Sequence, residues 1–132
     1  MTAPTMPWKD LVDYSETHDL LAKRLYVVFS DPTSGLGPVL ENLDPHVQHQ
    51  TRLEMDGVMF AAGPFSSEDE QQWDGSGMFI YRADSLEQAR KFADSDPMHI
   101  SGARTYTIKT WLLNEGTFSV QLFYSGSKPK IS

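Results

Sequence analysis

The chain has 132 residues, a length that fits one domain with enough residues to build a hydrophobic core. Its 11 Lys and Arg stand against 18 Asp and Glu, and the resulting charge of −7 excludes the basic surface that nucleic-acid binding needs and gives no attraction to an anionic membrane. It has no cysteine, which excludes disulfides, thiolate metal sites and cysteine nucleophiles together.

No apolar run approaches the roughly 20 residues of a membrane span. The N-terminus lacks the basic and apolar segments of a signal peptide, so a cytoplasmic location is expected. Residues 1–22 are polar and broken by Pro4 and Pro7. A short amphipathic stretch there offers Trp8, Leu11, Val12 and Leu20 for docking, and the segment reads as an extension outside the main fold.

The run RLYVVFS, 24–30, predicts a strand buried on both faces and ended by the loop DPTSG. The following stretch is helix-like but interrupted by Gly37, Pro38 and Pro45. Asp44 and Pro45 make an N-cap and first-turn pair, predicting a fresh helix from there to Gly57, a natural terminator. VMFAAGPF, 58–65, is a second strand that stops at Gly63-Pro64, and GMFIYRA, 77–83, is a third. Ser85 and Gln88 form a capping box for a second helix, which carries Leu86, Ala89, Phe92 and Ala93 on one face and ends at Asp96-Pro97. RTYTIKTWLL, 104–113, alternates as a fourth strand; TFSVQLFYS reads as a short fifth, and GSKPKIS as a disordered tail.

The order β-α-β-β-α-β is the split β-α-β, ferredoxin-like arrangement: an α+β fold with an antiparallel sheet and its helices on one face. The strands are too apolar for the other face to meet water, so a homodimer that pairs two sheets is expected.

HVQH places His46 and His49 three residues apart near a helix start. With Asp44 as the cap, His46, His49, Gln50 and Leu53 share a face, and His46 lies at the second helical position. There the positive end of the helix dipole disfavours an imidazolium, leaving a neutral ring able to act as a base. A carboxylate nearby works in the opposite sense, orienting the ring and raising its basicity. First-turn polar residues are also often solvated and inert, so position alone does not make His46 functional. His18 and His99 read as surface or packing residues. The H-x-x-H spacing is shorter than that of zincin helices and has no evident third ligand, so no metal is expected. Hydrolase, NTPase and dinucleotide motifs are missing. Asp96 closes a helix C-terminus, where its charge wants a compensating partner, although Asp-Pro is also a plain stop signal.

Three segments together resemble the YCII-related (YciI-like) family: HVQHQTRLEMDG leading into VMFAAGP, ADSLEQARKFADSDPMHISG, and TIKTW followed by NEG. The resemblance covers roughly residues 24–116 and divides the chain into an N-terminal extension 1–22, a YCII-like domain 23–116 and a C-terminal strand and tail 117–132. It implies a dimeric α/β-barrel, a His-Asp pair formed by His46 and Asp96, and a pocket to which His49, Gly63, Pro64 and Trp73 contribute. Relatives include a dehydrochlorinase acting on a chlorinated hydroxyhydroquinone, and the wider fold group includes muconolactone isomerase. The family usually has an aromatic residue at His49 and a Leu at Gln50, so either a more polar pocket or a His49 that assists His46 is expected here.

The function this implies is acid-base chemistry on a small oxygenated substrate, an isomerisation or HX elimination without a cofactor. In it His46 takes the proton and Asp96 orients the ring. The alternative is a non-catalytic small-molecule-binding or accessory protein on the same scaffold. In that case His46 and Asp96 stand apart, and aromatics such as Phe60, Phe79 or Trp73 line an apolar hole. Trp73, in an acidic loop, is either a hydrophobic cover or a lid.

Overall fold

The structure is a computed structural model describing residues 3–132. In chain order its elements are α1 (Trp8–Thr17), β1 (Lys23–Pro32), α2 (Leu36–Glu41), α3 (Leu43–Met55), β2 (Met59–Pro64), β3 (Gly77–Tyr81), α4 (Leu86–Asp94), α5 (Pro97–Ile100), β4 (Arg104–Leu113), β5 (Val120–Gln121) and β6 (Lys130–Ile131). They divide into two compact units, residues 24–112 and the chain ends up to Lys23 and from Leu113 onward.

In the larger unit the main sheet runs β2-β3-β1-β4, the order of a ferredoxin-like fold, and is antiparallel where β1 and β2 flank β3. Side chains alternate across it. Tyr26, Val28, Phe79 and Tyr81 point to the helices, where they pack with Leu53 of α3 and with Ala89 and Ala93 of α4. The small residues on α4 let that helix lie close on the sheet. A second cluster joins Val39, Met98 and Ala103, with Leu36, Leu43 and Trp73 packed against it. Among the described residues no helix is long and apolar enough to cross a membrane.

One irregularity positions the site. Met59 pairs with Tyr81 but Ala61 pairs with Ile80, so Phe60 is an extra residue in β2. A bulge of this kind reverses which side chains face inward. Beyond it Ala62 stands opposite Phe79 and Pro64 opposite Gly77, on the helix side of the sheet.

Three local expectations differ from what forms. α3 begins at Leu43, not after Asp44, and its capping residue Asn42 makes no side-chain cap. Asn42 instead donates from Nδ2 to the Pro38 carbonyl, tying off α2, and its own carbonyl accepts from the His46 N–H. Pro45 is tolerated because first-turn N–H groups have no helical partner to lose. Asp96 is not only the end of one helix: it lies beyond α4 and caps α5, its side chain accepting from the Met98 N–H. The last expected strand shrinks to β5, which pairs with β6 at Lys130–Ile131, so the tail is a small separate hairpin and joins no main-sheet edge.

In the terminal unit Asn114 links the two chain ends. Its carbonyl and side-chain oxygens accept from the Leu21 and Ala22 N–H groups, and its Nδ2 donates to Ser15 Oγ. That explains a buried serine in α1.

Candidate functional site

His46 and Asp96, fifty positions apart, meet where α3 packs beside α5. Nδ1 of His46 lies 2.9 Å from both Asp96 carboxylate oxygens, and one of those oxygens also accepts from Met98 N–H at 2.9 Å. Asp96 is fully buried and His46 nearly so. Burial works to raise the Asp96 pKa, but the hydrogen bond and charge of His46, the Met98 N–H and the charge of His99 outweigh it and hold the carboxyl below its ordinary value. An ionised carboxylate only accepts hydrogen bonds, so Nδ1 carries a proton, and in the neutral ring the lone pair is then on Nε2. That is the tautomer of an oriented base. The N-cap position makes Asp96 a better-stabilised anion than a helix C-terminus would.

His46 borders an open cleft of about 250 Å³, with Asp96 buried behind it. His46, Val47 and Gln50 line it from α3; Ala62, Gly63 and Pro64 from the bulged end of β2; Gly77 and Phe79 from β3. Trp73 lines it from the loop between β2 and β3, and Arg104 from the first residue of β4. Phe79 is central, its ring 5.4 Å from that of His46. Gly77 leaves room at this wall: a Cβ there would stand 3.2 Å from the Gly63 carbonyl oxygen.

Of the expected pocket residues, Gly63, Pro64 and Trp73 reach the cleft and His49 does not. At about 100° per residue, His49 sits roughly 60° to one side of His46 and Gln50 roughly 40° to the other. The Gln50 side faces the cleft, and the His49 side faces the core with Leu53. His49 Nε2 is buried without a hydrogen bond among the described residues. Burial chiefly lowers the His49 pKa, with Asp96 opposing. Trp73 donates its indole N–H to the Ser76 carbonyl at 2.8 Å, which fixes it as a wall of the cleft.

His99 belongs to the packing beneath. Its Nδ1 is 2.6 Å from the Ala93 carbonyl and must donate to it, so Nε2 accepts from Ser30 Oγ at 2.7 Å. Burial lowers its pKa as well. His18 is exposed and stacks on Tyr14 at 3.8 Å. No group of three or more His, Cys, Asp or Glu among the described residues is placed to hold a metal ion.

Among the cleft residues not expected from the sequence, Arg104 is the charged one. A signal for it existed: in the inward series Arg104, Tyr106, Ile108, one position is charged. It is 4% exposed, and its Nε donates to the Gly75 carbonyl at 2.7 Å. Gly75 has φ +101°, a conformation open to glycine and rare elsewhere.

Fold and cleft together define a ferredoxin-like α+β domain with a buried His-Asp pair beside an open cavity. Residues 25–112, more than half the chain, match the YCII-related domain, and the protein belongs to that family. The uncharacterized protein YjpA of Bacillus subtilis (strain 168) is 32% identical over 75 residues, covering 57% of this chain and 81% of YjpA. A solved structure of the 5-chloro-2-hydroxyhydroquinone dehydrochlorinase TftG from Burkholderia phenoliruptrix AC1100, in complex with 2,5-dihydroxybenzoquinone, matches with a TM-score of 0.50. That match covers 66% of this chain and 92% of TftG at 18% identity, a likeness of fold.

Proposed function

We propose that this protein is a cofactor-independent enzyme that moves a proton on a small oxygenated substrate, with His46 as the base and Asp96 as its anchor. The observation that carries the reading is the two-oxygen grip of Asp96 on His46 Nδ1 at the border of an open cleft. It leaves Nε2 as the basic atom. A proton passes from a carbon acid or phenol to Nε2, and the freed electron pair enters the oxygenated system. Returning the proton at another carbon completes an isomerisation; loss of a halide, with the proton released to water, completes an HX elimination. The imidazolium formed on the way is stabilised by the Asp96 charge.

The cleft lies at the small end for ligand sites, which usually begin near 300 Å³, and therefore suits a single-ring molecule. TftG adds that a fold of this kind hosts a dehydrochlorinase of a ring substrate. The test is a screen of lactones and halogenated phenols or hydroquinones, followed by His46→Ala on any substrate found. Loss of the base is expected to lower kcat/KM by about 10² to 10⁴-fold. Equal turnover by the variant would overturn the assignment and favour the non-catalytic binding reading.

We further propose that two copies pair through the outer face of the sheet, where Val27, Phe29, Met78, Ile80 and Trp111 line an apolar groove of about 280 Å³.

A further inference from the structure

The cleft holds a cation that the His46-Asp96 chemistry does not use. Arg104 is nine-tenths or more buried, and its Nη1 has no hydrogen-bond partner among the described residues. The two ion pairs formed among those residues are Lys9-Asp13 and His46-Asp96, so no carboxylate grips the guanidinium. Asp96, Asp31 and Asp74 act on it only at longer range. Asp96 is already committed to His46 and Met98, and Asp74 accepts from the Ser76 N–H. A buried charged N–H without a partner is costly and normally finds an acceptor. Arg104 also lines the cleft, where an acceptor on a bound molecule would meet the guanidinium.

The guanidinium is also held in place. Its Nε bond to the Gly75 carbonyl fixes one edge, and its Cζ lies 6.0 Å from the centre of the Phe79 ring. The same ring lies 5.4 Å from that of His46. Base and cation thus meet a shared aromatic wall, and a planar molecule lying on it can reach both.

We propose that Arg104 is the anion subsite of the cleft and takes a carboxylate or phenolate oxygen of a small, planar, ring-shaped substrate. This deepens the acid-base reading above, on which its sense as a substrate subsite rests. The anchored oxygen lies remote from the reacting proton in a carboxylate substrate. In a phenolate or enolate substrate it is the oxygen on which charge develops, and the guanidinium then stabilises that charge directly. Arginine suits the role because its planar fork of N–H donors stays protonated even when burial lowers its pKa.

The test reads binding, so it does not depend on turnover. Benzoate, its neutral counterpart benzamide, and 4-nitrophenolate are titrated into the full-length protein and followed by NMR chemical shifts. One of the two anions is expected to bind with shifts at residues lining the cleft and at least about tenfold more tightly than benzamide, the size of one charge-assisted hydrogen bond. Tighter benzoate assigns the carboxylate, and tighter nitrophenolate the phenolate. Arg104→Gln should weaken the anion by about 10- to 100-fold and leave benzamide unchanged. Arg104→Lys keeps the charge and should retain part of the affinity. The wild-type preference stands by itself if the Gln variant fails to fold. Anion and amide binding equally, or Arg104→Gln binding the anion as wild type does, refutes the subsite. His46→Ala removes the base but not the cation, so it should still bind the anion. A failure of the catalytic reading is thereby told apart from a failure of this one.

Discussion

Asp96 closes the first turn of α5 through Met98 and holds His46 through both carboxylate oxygens, so removing it undoes two things at once. Asp96→Ala strands the His46 Nδ1–H and the Met98 N–H in a buried site and should cost about 3 kcal/mol in urea denaturation. Asp96→Asn keeps an acceptor but no charge, and should cost about 1–2 kcal/mol. Acid should act in two windows. The folded pKa of Asp96 lies below 3.8, so its contribution is complete above that value and is lost as the pH falls through the lower folded one. His49 and His99 have folded pKa values below 6.5, so the unfolded chain takes up protons first and stability begins to fall once the pH drops under 6.5. Melting temperatures measured on acidification should decline first below pH 6.5 and again below 3.8. A flat profile between about pH 7 and 5 would contradict the placement of those two rings.

At the level of elements, α4 carries Asp96 to its place and depends on its cap. Ser85 Oγ accepts from the Gln88 N–H, while the Gln88 side chain reaches back to the N–H of Asp84, one residue before the cap. Ser85→Ala should therefore lower stability by about 1 kcal/mol in urea denaturation, with anion binding in the cleft unchanged. A neutral effect would mean that packing of Ala89 and Ala93 alone holds the helix. This helix was legible because its signals are local: a cap, a box and an apolar face within nine residues. The four main strands were legible for the same reason, as apolar or alternating runs bounded by turns. The start of α3 was not, because Asp44-Pro45 fits a cap and a first helical turn equally well. The sequence put His49 and Gln50 on one face with His46, and only the packed helix shows that the Gln50 side is the one that lines the cleft. Arg104 was hidden because its partner carbonyl lies 29 positions away, on a loop that only the folded chain brings near. The β5-β6 hairpin was hidden because strands of two residues leave no periodicity to read.

At the scale of the whole molecule, the outer face of the sheet carries the last prediction. The register stacks Val27 opposite Ile80 and Phe29 opposite Met78; Val27 and Ile80 are buried, Phe29 and Met78 half-buried, and Trp111 of β4 beside them is 39% exposed. A patch of this kind on one face of a two-layer fold calls for a cover, and a second copy offers an identical surface for a two-fold pairing. The charge of −7 on each copy opposes association at long range, but the groove itself contains Lys109 and no acidic residue. Sedimentation at micromolar concentration should therefore give twice the chain mass. Trp111→Lys puts a like charge on both sides of the two-fold contact and should weaken pairing by about 2 kcal/mol or more, roughly 30-fold in Kd. Since Trp111 is partly exposed, this variant should keep the fold, and its His46 and Asp96 resonances should change little. A wild-type protein that sediments as a monomer would remove the second copy as the cover of this face.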